Sequence, residues 1–118
     1  MTVDLDWENL GFNYSKLPFR YISYYKDGKW DEGQLTEDAT LHISEASPTL
    51  HYGQEAFEGL KAYRTKDGSI QLFRPDENAK RLQRTADRLL MPQVPVDKFV
   101  DACKQVVRAN EEYVPPYG

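Results

Sequence analysis

The chain of 118 residues carries 15 basic and 19 acidic side chains, a formal charge of −4, with 40% hydrophobic and 13% aromatic residues. This is one domain's worth of chain, too aromatic for a disordered one, without an apolar run near the roughly 18 residues a membrane helix needs and without a general attraction for nucleic acid or anionic lipid. A single cysteine excludes an internal disulfide framework and a cysteine-based zinc site.

Asp4, Asp6 and Glu8 open the chain acidic, which fits neither a secretory signal nor an Arg-rich transit peptide, so a cytoplasmic protein is expected. Residues 6–10 suggest one helical turn ending at Gly11. Residues 20–26 (RYISYYK) are strand formers, Asp27-Gly28 is a two-residue hairpin turn, and 29–35 would be the returning strand. A polar stretch leads to a short alternating run at 40–44, and Pro48 separates it from a third β-rich block. There, residues 58–65 and 69–74 flank Lys66-Asp67-Gly68, with Leu60, Ala62, Ile70 and Leu72 alternating with polar neighbours as in a sheet with one solvated face.

After Pro75 the period changes. Ala79, Leu82, Ala86 and Leu89 recur at helical spacing until Pro92, and Pro75 suits a first helical turn. A second helix starts near Pro95 and places Val96, Phe99, Val100, Cys103, Val106 and Val107 on one face, so Cys103 reads as a buried, inert thiol. Strands followed by helices give an α+β fold, an antiparallel β-sheet packed with two C-terminal α-helices. Val114-Pro115-Pro116-Tyr117-Gly118 ends in turn chemistry directly after a helix, and a further element is expected to follow.

Chemistry-bearing residues are few. His42 and His51 have no carboxylate or cysteine at metal-ligand spacing, and a surface or hydrogen-bonded role is expected, with His42 on the polar face of the sheet. Gly53 and Gly59 form neither a Rossmann nor a Walker pattern. Arg81, Arg84 and Arg88 stand at i, i+3 and i+7. Such a stripe is either a solvated face paired with Glu77 and Asp87 or a phosphate clamp, because guanidinium groups offer planar bidentate donors. Tyr52, Phe57 and Tyr63 lie near Gly53 and Gly59, either as core beside a turn or where backbone approaches a ligand.

Two long motifs in order, LHYGQEAFEGLKAYR and LFRPDENAKRLQRTADRLLMP, resemble the branched-chain amino acid aminotransferases, which belong to the fold-type IV group of pyridoxal-phosphate enzymes. The match is tight from Leu50 to Pro92 and looser over nearly the whole chain. It implies that Arg81 binds the phosphate of pyridoxal 5'-phosphate, that Tyr52 and Phe57 line the substrate pocket with the Gly59 backbone beside it, and that Arg84 and Arg88 are surface or structural residues. It further implies that residues 1–118 are the N-terminal small domain, that the large domain with the catalytic lysine lies outside this chain, and that no catalytic residue falls within it. Lys61 and Lys80 match other family positions. The wording LGFNYSKLPFRYISYY departs from the family and leaves the family's first pocket residue unplaced, with Tyr14 a guess for it. The implied activity of the whole enzyme is transfer of the amino group of Leu, Ile or Val to 2-oxoglutarate, by a homodimer, and the 118 residues alone are expected to be inactive. The alternatives are a D-amino acid aminotransferase, an aminodeoxychorismate lyase-like enzyme, or a standalone non-catalytic binding module.

Overall fold

The computed structural model describes residues 3–9 and 14–118; the turn expected at Gly11 lies outside them. A 3-10 turn spans Trp7–Asn9. The expected first hairpin forms, but in two pieces. β1 (Arg20–Ile22) pairs with β4 (Gln34–Thr36), and β2 (Tyr25–Lys26) pairs with β3 (Lys29–Trp30), all antiparallel. Asp27 and Gly28 both take positive φ, as the tight hairpin turn requires.

The break is a bulge. Between the two ladders, residues 31–33 stand opposite Ser23 and Tyr24, which leaves one residue extra on the returning strand. Asp31 Oδ1 holds it by accepting from Ser23 Oγ (2.6 Å), Gly33 N (2.9 Å) and Tyr24 N (3.1 Å). The Ser23 hydroxyl is the chief reason that the Asp31 carboxyl titrates below its ordinary value. Gly33 sits at φ 74°, and a Cβ there would collide with the Tyr21 ring. The hairpin tip docks on the helices: Trp30, edge-on to Tyr25, donates from Nε1 to Gln93 O at 2.8 Å, and Lys98 Nζ donates to Asp31 O.

Residues 40–44 form no strand, because Asp38 and Ser44 turn the chain locally by accepting from Thr40 N and Ala46 N. His42 is therefore not on a sheet. A helix absent from the sequence reading follows: α1 (Pro48–Tyr52), with proline in its first turn and Gly53 closing it in the left-handed conformation at φ 64°. β5 (Ala62–Arg64) and β6 (Ile70–Leu72) make the second hairpin, shorter than expected at both ends. In its turn the Asp67 carboxylate accepts from Thr65 Oγ1 and Ser69 N, which holds its pKa down to about 2.

α2 (Pro75–Arg88) and α3 (Val96–Ala109) form as expected and pack together, with β1 against α3. α2 stops before Pro92, in a Schellman closure: Leu90 N donates to Asp87 O and Met91 N to Ala86 O, with Leu90 at φ 57°. The buried small residues Ala79 and Ala86, one helical face apart by two turns, give α2 a smooth side for close approach. The fold is thus α+β, but its β part is three two-stranded ladders among the described residues, not one sheet.

Asn110, at the C-terminal end of α3 and only 6% exposed, ties the chain before β1 to the helices. Its Oδ1 accepts from Phe19 N at 3.0 Å, and its Nδ2 donates to Phe19 O at 2.8 Å and Val106 O at 2.9 Å. Asn110→Ala strands both backbone groups of Phe19, so urea unfolding of this chain is expected to show a loss of about 2 kcal/mol. A loss within experimental error would show that the pair carries no stability.

Candidate functional site

The site is built on an extended segment, residues 54–60, that runs antiparallel along α2. Gln54 Nε2 donates to Leu89 O at 2.6 Å at the far end of the helix, and Asn78 Nδ2 donates to Gly59 O at 2.9 Å near its start. The lengths agree. A helix rises about 16 Å from Asn78 to Leu89, and an extended chain covers about 17 Å from Gln54 to Gly59. Glu58 and Gly59 are held against α2, and residues 58–61 are not part of the ladder that the sequence suggested.

Exposure alternates strictly along this segment. Gln54, Ala56, Glu58 and Leu60 are half-buried, whereas Glu55, Phe57, Gly59 and Lys61 are exposed. Successive side chains of an extended chain point to opposite faces, so Phe57 and Gly59 share the outward face and Glu58 turns inward. Phe57 is 88% exposed, as is Tyr52, the last residue of α1. No side chain stands over Gly59: a Cβ added there would meet nothing within 4 Å.

The inward carboxylate of Glu58 is 7% exposed and meets Arg81 on α2, whose side chain is 61% exposed. Arg81 Nη2 donates to Glu58 Oε1 at 2.6 Å, and Arg81 Nε donates to Oε2 at 2.8 Å and Oε1 at 3.0 Å. Asn78 Nδ2 adds a bond to Oε1 at 3.0 Å. The hydrogen bonds from Arg81 hold the Glu58 carboxyl below the ordinary glutamate range against the opposing effect of desolvation, with Asn78 and the charges of Arg81 and Arg84 assisting.

The solvated-face reading of the basic stripe is corrected for Arg81. Its partner is Glu58, not Glu77 or Asp87; Glu77 pairs with Arg74 and Lys80, and Asp87 accepts from Gln93. Sequence reasoning missed Glu58, Asn78 and Gln54. The available signal was a carboxylate flanked by Ala56 and Leu60 on the apolar side of an alternating run, a position that requires a cation.

The remaining candidates fall elsewhere. His42 Nε2 is 2.8 Å from Asp38 Oδ2 on the surface, and His51 bonds Glu45 O. Among the described residues, no three of His, Cys, Asp and Glu gather as for a metal ion. Cys103 is half-buried and desolvation pushes its thiol pKa up, as an inert thiol requires. Tyr14 is 81% exposed. No helix among the described residues is long and apolar enough to cross a membrane.

The sequence, the two motifs included, has counterparts in known proteins. No family model matches the chain. It is 68% identical over 115 residues to a branched-chain-amino-acid aminotransferase of Haemophilus influenzae, covering 98% of this chain and 34% of that protein. It is 54% identical over 114 residues to the Helicobacter pylori protein of the same name, covering 97% of this chain and 34% of that one. A methionine aminotransferase of Arabidopsis thaliana is 46% identical over 117 residues, covering 98% of this chain and 33% of the relative. The resemblance carried by the two motifs therefore extends over almost the entire chain, and the chain spans about a third of the length of the curated relatives it matches.

The Glu58–Arg81 pair has a pH signature. The depressed Glu58 pKa means that its contribution to stability is present above the ordinary glutamate range and is lost as pH falls through the lowered value. A carbon-detected NMR titration is expected to find Glu58 titrating below the ordinary glutamate value, and Arg81→Ala is expected to move it upward. A Glu58 midpoint at the ordinary value would contradict the pairing.

Proposed function

We propose that this chain is the N-terminal small domain of a branched-chain amino acid aminotransferase, an enzyme that moves the amino group of Leu, Ile or Val to 2-oxoglutarate with pyridoxal 5'-phosphate. The observation that carries this reading is the match over nearly the whole chain to aminotransferases named for that activity. In this reading the enzyme is a cytoplasmic homodimer, and the lysine that binds the cofactor covalently lies outside residues 1–118.

The residues present fit the cofactor's phosphate. Glu58 occupies the Nε edge of the Arg81 guanidinium, and Nη1 with the second Nη2 hydrogen remains as a planar donor pair on a side chain that is 61% exposed. Arg81 would hold the phosphate with those hydrogens, because a group of nearly two negative charges calls for a permanently charged, forked donor. When bound, pyridoxal phosphate supplies the electron sink for amino-group transfer.

In this reading Tyr52 and Phe57, both exposed, would supply an apolar wall, with the open backbone of Gly59 beside it. Aliphatic substrate side chains gain by leaving water against such a wall. The same wall suits methionine, the substrate in the name of the Arabidopsis relative. Lys80 is tied to Asp76 and Glu77 and takes no part.

The exposed surface supports a role as part of a larger protein. The chain shows 9304 Å² to solvent, against about 6,600 Å² for a compact monomer of this mass. Its radius of gyration is 15.9 Å, against about 13.5 Å for a compact domain of this length. A wall of this kind becomes a pocket only when a second domain faces it.

In the full-length protein, Arg81→Ala is expected to weaken pyridoxal phosphate binding by at least about tenfold, the scale of a lost charge-assisted hydrogen bond. The measurement is absorbance titration of the apoenzyme. Unchanged affinity would overturn the role given to Arg81.

A further inference from the structure

We propose that Glu58 is the positioning residue for the phosphate-binding arginine: its buried carboxylate fixes the Arg81 guanidinium in the one orientation that turns the free Nη edge toward the phosphate. The inference rests on the reading of Arg81 given above and deepens it.

An arginine on an exposed helix face samples many rotamers, and fixing it on ligand binding costs free energy. Here that ordering exists before any ligand arrives. Glu58 Oε1 and Oε2 take the Nε edge in a two-point fork, which defines the plane of the guanidinium as well as its direction. The carboxylate itself cannot wander. Its side chain is 7% exposed, Asn78 Nδ2 holds Oε1, and the same amide holds the carbonyl of Gly59, the next residue. Backbone and carboxylate are thus pinned to one turn of α2 by one side chain, while Gln54 pins the other end of the segment to Leu89.

A carboxylate beside an anion site has an opposing effect, because Glu58 offsets part of the positive charge that Arg81 offers. That opposition is reduced because Asn78 Nδ2 draws on the same Glu58 oxygen by donating to Oε1 at 3.0 Å. Arg81 stays charged with or without Glu58. The orientation therefore decides the outcome, and removing the carboxylate weakens phosphate binding although it raises the local positive charge. The charged groups acting on Glu58 from the packed helix are Arg81 and Arg84, both cations, so neither replaces it as the anchor.

The test compares pyridoxal phosphate with pyridoxal, which lacks the phosphate, on the full-length apoprotein. Glu58→Gln is expected to lower the preference for pyridoxal phosphate about tenfold while leaving pyridoxal affinity unchanged. In an Arg81→Lys background, where no fork can form, the same substitution is expected to have no further effect. Glu58→Asp, which keeps the charge and loses the reach, should behave like Glu58→Gln and serves if the glutamine variant does not fold. A preference that is unchanged or raised in these variants, or a loss shared equally by both ligands, would overturn the inference while Arg81→Ala still abolishes the preference. A preference that survives Arg81→Ala would instead remove the underlying reading of Arg81.

Discussion

The fork between Glu58 and Arg81 is the contact on which the site depends. A carboxylate that has lost most of its solvent has to be paired and hydrogen-bonded or it would take up a proton. That requirement sets the register of residues 54–60 on α2. An extended chain alternates its faces, so a slip by one residue would turn Phe57 inward and put Glu58 in water. The pairing of one glutamate thus decides that Phe57 and Gly59 face out, and Arg84 and Asn78 reinforce the choice from the same helix.

The remainder of the structure carries this corner without a deep core. Ala79, Ala86 and Val114 are the buried hydrophobic residues, and no large side chain is fully enclosed among those described. Polar staples do much of the work that packing does elsewhere. Asn110 joins the start of β1 to the end of α3, Asp31 closes the bulge, and Trp30 and Lys98 seat the hairpin tip on the helical layer. Large aromatic and aliphatic side chains stay exposed on the outside of this frame, Tyr52, Phe57, Phe73 and Leu90 among them. Exposed apolar surface of this kind is what the proposed role as one domain of a larger enzyme calls for.

Much of this was legible in the sequence. Asp27-Gly28 marked its turn because only residues tolerant of positive φ serve there, and the apolar spacing of 96–107 marked α3 because a helix must hide one face. Other features left no periodic trace. α1 is a single turn, too short to show a period, though Pro48 and Gly53 bracket it. The bulge at 31–33 depends on one carboxylate meeting two backbone amides and a hydroxyl across the hairpin. The Glu58–Arg81 pair spans 23 residues, beyond the reach of helical spacing rules, so local neighbours such as Glu77 and Asp87 looked like the partners. The roles proposed for Tyr52, Phe57, Gly59 and Arg81 rest on the family motifs; the residues alone leave the aromatics between core and ligand contact, and Arg81 between a solvated face and a phosphate clamp.

In the proposed enzyme these 118 residues hold the phosphate and supply one pocket wall, and the covalent cofactor link is made by a lysine beyond them. The most direct test is borohydride reduction of the full-length protein loaded with pyridoxal phosphate, followed by peptide mass mapping. The account predicts a single pyridoxyl adduct on a lysine outside residues 1–118. An adduct on Lys61 or Lys80, or none at all, would contradict it.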